Sequence, residues 1–429
     1  MSFYSDSNVT THYLDPSTYL PQSNTSDGRV SFELDGTKLA FLPNMRLLNV
    51  GCHSDSLQVY NALVGAYTVI ERIRLLDGDT ELSALTNQQL YRGFKNQNAV
   101  NSLSESVESR LSKNSVGWSV DGFNRVIGRV TKVGRTGPAG GEQTLGYLDL
   151  REVFPILNSV SHLPTSVFKN LNIQIIMTGK LTDQVLDNVT AAIVPVRPIL
   201  AVDVLENPKI VQQMRKSLEG ARWLEVEHDR FLIPASSNNN GQAADQGIVQ
   251  STNVKINGFN NKHLERLVII KELTDPSVYI SNQEQVGWGR WGSPACFKQT
   301  CQFRLNGRNI LPRNGIVGNN ERLAYMIDTF GDCAVYPGSN LYGMGSLAAG
   351  SAPGAVLADV AYIGQSDYIG IYLGDYINDL QINYSRVGLE DTGAFRPTTA
   401  PIYAHCYGEV AKVLAIRGDN TYNVVYAQN

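Results

Sequence analysis

Ile73-Arg74-Leu75-Leu76-Asp77-Gly78 and Phe303-Arg304-Leu305-Asn306-Gly307 are two copies of one short sentence. Each reads as a strand that ends in Asp-Gly or Asn-Gly, the dipeptides that favour a tight hairpin. A second matched pair lies downstream of each. Leu171-Asn172-Ile173-Gln174-Ile175 and Leu380-Gln381-Ile382-Asn383-Tyr384 alternate apolar and polar residues strictly, the period of a half-buried strand. The shared order of the two pairs points to a duplicated β-unit. Gly78 to Leu171 is 93 positions (171 − 78) and Gly307 to Leu380 is 73 (380 − 307), so the first copy carries 20 more. That excess is assigned to a helical insertion over about 83–113, where Leu90, Phe94, Leu103, Val107 and Leu111 recur at helical spacing.

Outward from these pairs the strand signals continue. Val30-Ser31-Phe32-Glu33-Leu34-Asp35 alternates, Leu224-Glu225-Val226-Glu227 does so more briefly, and Val410 to Ile416 is a mostly apolar run suited to a deeper strand. Pro208 to Gly220 reads as a short helix, with proline in its first turn, Val211, Met214 and Leu218 on one face, and a terminal glycine. At 429 residues the chain exceeds what one core usually serves. The expected fold is therefore all-β: two tandem β-sandwiches with short helices in loops. Residues 1–27, rich in Ser, Thr, Asn and Pro, read as a flexible arm. The first sandwich is expected over 28–220, with the linking helix at about 208–220, and the second over 221–429. Glycine-rich stretches at Gly134 to Gly141, Ser236 to Gly247 and Gly338 to Gly354 read as exposed loops available for contacts.

The composition narrows the function. A formal net charge of -4, with no run of Arg or Lys longer than two, offers no basic stripe for nucleic acid or an anionic membrane. No stretch of 18 apolar residues is present, and Met1 to Asp27 lacks the apolar centre of a signal peptide. The Asn-x-Ser/Thr triplets at Asn8, Asn24, Asn188 and Asn383 are therefore read as chance matches. Cys52, Cys296, Cys301, Cys333 and Cys406 form no CxxC pair and are odd in number, which fits free thiols better than a disulfide framework.

The chemistry-bearing residues form no recognised constellation. His12, His53, His162, His228, His263 and His405 are scattered without metal-ligand spacing. In Cys52-His53 and His405-Cys406 the neighbours would point to opposite faces of a strand, so neither pair can chelate on one side. Gly134 to Gly141 lacks the Gly-Lys-Ser/Thr ending of a phosphate-binding loop. Neither Gly364-Gln365-Ser366-Asp367 nor Gly345-Ser346 completes a nucleophile elbow. Glu225, Glu227 and Asp229 would share one strand face, as a solvated surface or an intersubunit charge strip. Paired carboxylates could also serve glycoside hydrolysis or a calcium site, and Trp288 and Trp291, close together in Gly287 to Gly292, keep a carbohydrate-binding or carbohydrate-active sandwich as the alternative. Tyr362, Tyr368, Tyr372, Tyr376 and Tyr384 read as sheet packing or interface anchors. No catalytic, cofactor-binding or metal-binding residue is assigned, no cofactor is expected, and the chain reads as a non-enzyme.

Three segments carry a family resemblance. Val69-Ile70-Glu71-Arg72-Ile73-Arg74-Leu75-Leu76-Asp77-Gly78, followed by Leu82 to Phe94, resembles the first jelly roll of a family of viral major capsid proteins. The same family is found in nucleocytoplasmic large DNA viruses, virophages and polinton-like viruses. Leu148-Asp149-Leu150 to Phe154-Pro155, Leu163-Pro164 and Leu171 to Met177 are similar to its following strands in order and spacing. Phe259-Asn260-Asn261-Lys262-His263-Leu264-Glu265 resembles an approach segment in its second jelly roll. The resemblance spans roughly residues 28 to 425. The sequence departs from the family at Asp77-Gly78, where Gly-Gly is usual, and near Asn260, where a His-Pro step is missing. With its short length, this favours the virophage or polinton-like branch. The resemblance implies that the two tandem sandwiches are eight-stranded jelly rolls with short helices in loops. It further implies a homotrimer of pseudo-hexagonal outline that meets neighbouring capsomers, penton and minor capsid proteins in an icosahedral virion, assembled inside the host cell and not secreted. It implies no sequence-specific nucleic-acid partner.

Overall fold

The computed structural model describes residues 8–23, 26–54, 59–60, 69–87, 91, 116–120, 126–132, 134–135, 146–179, 193–233, 249–273, 299–312, 315–330, 369–387, 402–417 and 420–427. The principal strands of the first half are β1 (Val9–Leu14), β2 (Gly28–Glu33), β3 (Arg46–Val50), β4 (Ile70–Asp77), β5 (Thr80–Thr86), β6 (Gly146–Asp149), β7 (Leu171–Met177) and β8 (Ile199–Leu205). Helix α1 (Pro208–Arg215) follows. The second half supplies β9 (Arg222–Ile233), β10 (Val249–Ile256), β11 (Lys262–Leu273), β12 (Gln299–Leu305), β13 (Arg308–Asn309), helix α2 (Gly318–Phe330), β14 (Ile369–Ile377), β15 (Leu380–Val387) and β16 (Ile402–Ile416), and ends in β17 (Tyr422–Tyr426).

The two halves repeat strand for strand. One sheet of the first half runs β1-β8-β3-β6 and the other β2-β7-β4-β5, while the second half has β9-β16-β11-β14 and β10-β15-β12-β13. Each of the eight principal strands of the first sandwich therefore has its counterpart eight positions later, and this is the antiparallel order of a jelly roll. All strand pairings among the described residues stay within one half.

The repeated sequence segments occupy equivalent places. β4 and β12 are counterparts, as are β7 and β15. Alternation on β7 is complete, with Leu171, Ile173, Ile175 and Met177 buried and Gln174 exposed. At Asn306-Gly307 both residues take positive φ, 48° and 84°, as a two-residue hairpin of the primed type requires. In the first half the turn is displaced by one residue. Asp77 still pairs with Thr80, so Gly78 and Asp79 form the loop and only Gly78 (φ 58°) is left-handed. Both turns pin the residues that enter the next inner strand. Asp77 accepts from the Asn170 backbone at 2.6 Å, and Asn306 accepts from Asn378 and Asp379 at 2.8 and 3.0 Å.

Three expectations are corrected. The supposed flexible arm contains β1, whose six residues pair in register with Leu205 to Leu200 of β8, and the short strand Thr18–Leu20 beside β2. Backbone hydrogen bonding to the central strand holds this Thr-rich segment, and the first sandwich starts near residue 9, before the expected residue 28. The helix expected over 83–113 does not begin there, because Thr80–Thr86 is strand β5, committed to the ladder with β4. Of the remaining stretch only Asn87, at φ 46°, and Tyr91, helical, are described. The second half has a helix at the corresponding place, α2, so a helix confined to the first copy is not the source of the longer interval. Apart from Gly134–Arg135, which pairs in parallel with His53–Ser54, the glycine-rich stretches lie outside the described residues.

α1 lies between the halves with Asn207 as its cap, accepting from the backbone of Lys209 at 3.1 Å and Ile210 at 3.4 Å. Its apolar residues Ile210, Val211 and Met214 rest on Ala40, Leu42 and Leu205. Gly220 then takes φ 77° and donates its backbone N–H to Leu414 O at 2.9 Å.

Candidate functional site

Among the described residues, the candidate site is the junction where the two sandwiches meet. Trp223, Val268, Ile270, Tyr407 and Leu414 of the second half belong to the same buried cluster as the core of the first half. The second sandwich has a further core of its own around Phe259, Phe303, Ile382 and Tyr384. The junction is thus built as a core and not as a wet contact between independent domains.

Glu225 on β9 is the polar centre of this junction. It is 2% exposed and accepts from Ser83 Oγ at 2.7 Å, the Ala84 backbone N–H at 3.1 Å and Trp223 Nε1 at 2.7 Å. Burial pushes its carboxyl above the ordinary range, while Lys412 and the three donors pull the other way. Next to it Glu227 binds Lys262 and Lys412, the latter at 3.4 Å, and accepts from Tyr426 Oη at 2.9 Å. Asp229 accepts from the Gly258 backbone at 2.9 Å. Each carboxylate is consumed by a neighbouring strand or turn of the same chain. The solvated face or intersubunit strip expected here is therefore corrected for Glu225, which the first sandwich covers.

A ring cluster continues the junction along β16. His228 Nε2 lies 2.9 Å from His405 Nδ1, with the rings 5.2 Å apart and stacked. Tyr407 packs on His228 and on Tyr91, and its hydroxyl donates to the Asn87 carbonyl at 3.0 Å. Arg266 of β11 binds Glu409 at 2.8 Å, and Tyr91 donates to the same carboxylate at 3.4 Å. At the far end Tyr422 of β17 donates to Asp77 at 2.9 Å and packs against Phe168, so the last strand of the second half grips the first.

The residues singled out in the sequence are dispersed. His12 is near the surface beside Thr10, and His263 lies on β11. His162 is fully buried, and burial lowers its pKa to about 4. His405 faces the junction, while Cys406 lies in the core of the second sandwich with its thiol pushed up by burial. Cys301 is in that same core. The side chains of Cys52 and His53, and residues Cys296, Cys333, Trp288, Trp291, Tyr362 and Tyr368, lie outside those described. Tyr384 packs inside the sheet sandwich, whereas Tyr372 is 56% exposed. Among the described residues no three His, Cys, Asp or Glu side chains gather as a metal site. No helix there is long and apolar enough to cross a membrane.

Sequence reasoning missed the junction. Alternation at Leu224 to Glu227 assigns the apolar residues inward, yet Glu225 is the more deeply buried. The available signal was Trp223 two positions before Glu225, an indole donor beside a carboxylate.

The sequence matches no family profile and no curated protein. Among solved structures, the major capsid protein of mavirus is similar with a TM-score of 0.58 at 10% identity, covering 98% of this chain and 90% of that one. The Sputnik virophage structure gives a TM-score of 0.56 at 8% identity, covering 100% and 91%. The Faustovirus major capsid protein gives 0.52 at 9% identity, covering 97% and 92%. With both sandwiches matched over nearly the whole chain, the protein has the double jelly-roll fold of these viral major capsid proteins.

Proposed function

We propose that this chain is a major capsid protein that assembles as homotrimeric, pseudo-hexagonal capsomers in an icosahedral virus shell. The observation that carries the reading is the fold itself. Two sandwiches of the same strand order are fused through a shared core, and the solved proteins with this arrangement are capsid proteins. Three such chains present six like units, which suits sixfold surroundings in a closed shell.

In this reading the working parts are surfaces, and the chain is a structural protein of the virion with no reaction of its own. Its partners are two further copies, neighbouring capsomers, and penton and minor capsid proteins. The two sandwiches divide near Gly220. The decisive experiment is the native mass of the purified chain. A trimer of three times 47.1 kDa is expected. A stable monomer at micromolar concentration, with no particles by electron microscopy on co-expression of the shell proteins, would overturn the reading.

A further inference from the structure

His405 Nδ1 faces two donors at the junction. Asn87 Nδ2, an amide N–H2 of the first half, lies 3.4 Å from it, and His228 Nε2 of β9 lies 2.9 Å from it. An amide N–H2 can only donate, so Nδ1 presents its lone pair, and the proton in the bond between the rings belongs to His228. Asn87 stands just past β5 at φ 46°, and its backbone carbonyl accepts from Tyr407 Oη at 3.0 Å. Three hydrogen bonds thus tie the end of β5 to β9 and β16, and two of them need the same lone pair on a ring that is buried.

This set depends on where the protons are. With both rings neutral it is complete. One added proton can rest on His228, whose Nε2–H still donates to His405, now in a charge-assisted bond. A second proton must take the lone pair of His405 Nδ1. N–H would then face N–H at both His228 and Asn87, with two positive rings stacked 5.2 Å apart. The surrounding groups add to this cost or are already engaged. On β9, Arg230 lies over the Tyr403 ring at 5.1 Å, and Tyr403 meets His405 edge-on at 6.3 Å. On β16, Tyr407 packs on His228, and Glu409 binds Arg266 of β11 and accepts from Tyr91. Glu272 of β11 stands opposite Tyr403 in the ladder. In the first half, Arg72 and Arg74 beside β5 are held by Glu81 at 3.5 and 2.7 Å.

We infer that the His228–His405 pair is a proton-gated latch between the two sandwiches: it holds Asn87 with no added proton or with one, and releases it with two. The released pair accepts two protons and the closed pair one, so falling pH favours release. Imidazole is the side chain suited to act in mildly acidic surroundings. The latch lies within one chain and does not depend on assembly.

The test uses the full chain. Exchange of the imidazole Cε1 hydrogen, followed by mass spectrometry from about pH 4.5 to about pH 8, reads the protonation of each ring separately. His228 and His405 should take up their protons in two steps at least ten-fold apart in proton concentration. The peptide from β5 to Asn87 should exchange its backbone amides at least ten-fold faster at about pH 5 than at about pH 7, after correction for the intrinsic rate. His228→Gln, whose amide can turn its oxygen towards His405, should cut that acceleration to less than three-fold. Asn87→Asp, which puts an acceptor where a donor stood, should let His405 protonate at a ten-fold lower proton concentration. Rings that titrate together in the unaltered chain, or two steps with no loosening of β5, overturn the inference whether or not the variants fold. So does an acid acceleration that His228→Gln leaves unchanged, which would assign it to His162 or another group.

Discussion

Ser83 donates its hydroxyl to Glu225 at 2.7 Å across 142 positions of sequence, from the first sandwich to the second. A buried carboxylate with three donors fixes the approach of two surfaces more sharply than apolar packing does, because misalignment strands a charge. Glu225→Ala should cost about 2–4 kcal/mol in urea unfolding, since it leaves all three donors without their acceptor. Glu225→Gln, which keeps an oxygen acceptor and carries no charge, should cost less than half as much. Equal losses for both variants would show that the site contributes only volume.

Tyr422→Phe removes the hydroxyl that reaches Asp77 but keeps the ring on Phe168. Its expected cost is about 1 kcal/mol, against about 3 for Tyr422→Ala. The alanine variant should also quicken proteolytic trimming after Arg417, read by intact mass. Unchanged trimming would mean that β17 is held chiefly by its ladder with β16.

Gly408 lies where β16 passes under Phe259 and Leu264. A methyl group there would come within 2.5 Å of the Phe259 ring and 2.7 Å of Leu264. Gly408→Ala should destabilise the chain by about 1–3 kcal/mol through overpacking. A thermal melt at the parent temperature would contradict the tightness of this contact.

His162 supplies a pH dependence. Its folded pKa of about 4 lies below the ordinary value of 6.5, so between these values the unfolded chain binds the extra proton. Its contribution is fully present above about pH 6.5 and is lost as pH falls towards 4, by at most about 3 kcal/mol. His162→Gln should flatten the stability profile over that window. A parallel profile for the variant would assign the acid sensitivity to other groups.

Much of the fold was legible because each inner sheet has one wet face. Val30 to Asp35, Leu171 to Ile175 and Leu380 to Tyr384 alternate in sequence and alternate in burial. Asn306-Gly307 announced its turn because few other residues accept two left-handed conformations in succession. β1 was illegible for the opposite reason: an edge strand with mostly exposed side chains has no hydrophobic period to display. β5 was misassigned because it is buried beyond its inner face, which erases strict alternation, and Glu225 because a second sandwich covers its strand. The junction depends on contacts between distant positions, and local pattern carries no trace of those.

The core that continues from Phe154 and Leu157 through Trp223 and Tyr407 has a mechanical meaning. Because this buried cluster spans both halves, packing among the described residues fixes the angle at which the two sandwiches meet. In the proposed shell each tile would be stiff at this junction, and bending would be taken up along the seams between tiles. Curvature, and with it the radius the shell can reach, would then be set by whatever lies in those seams.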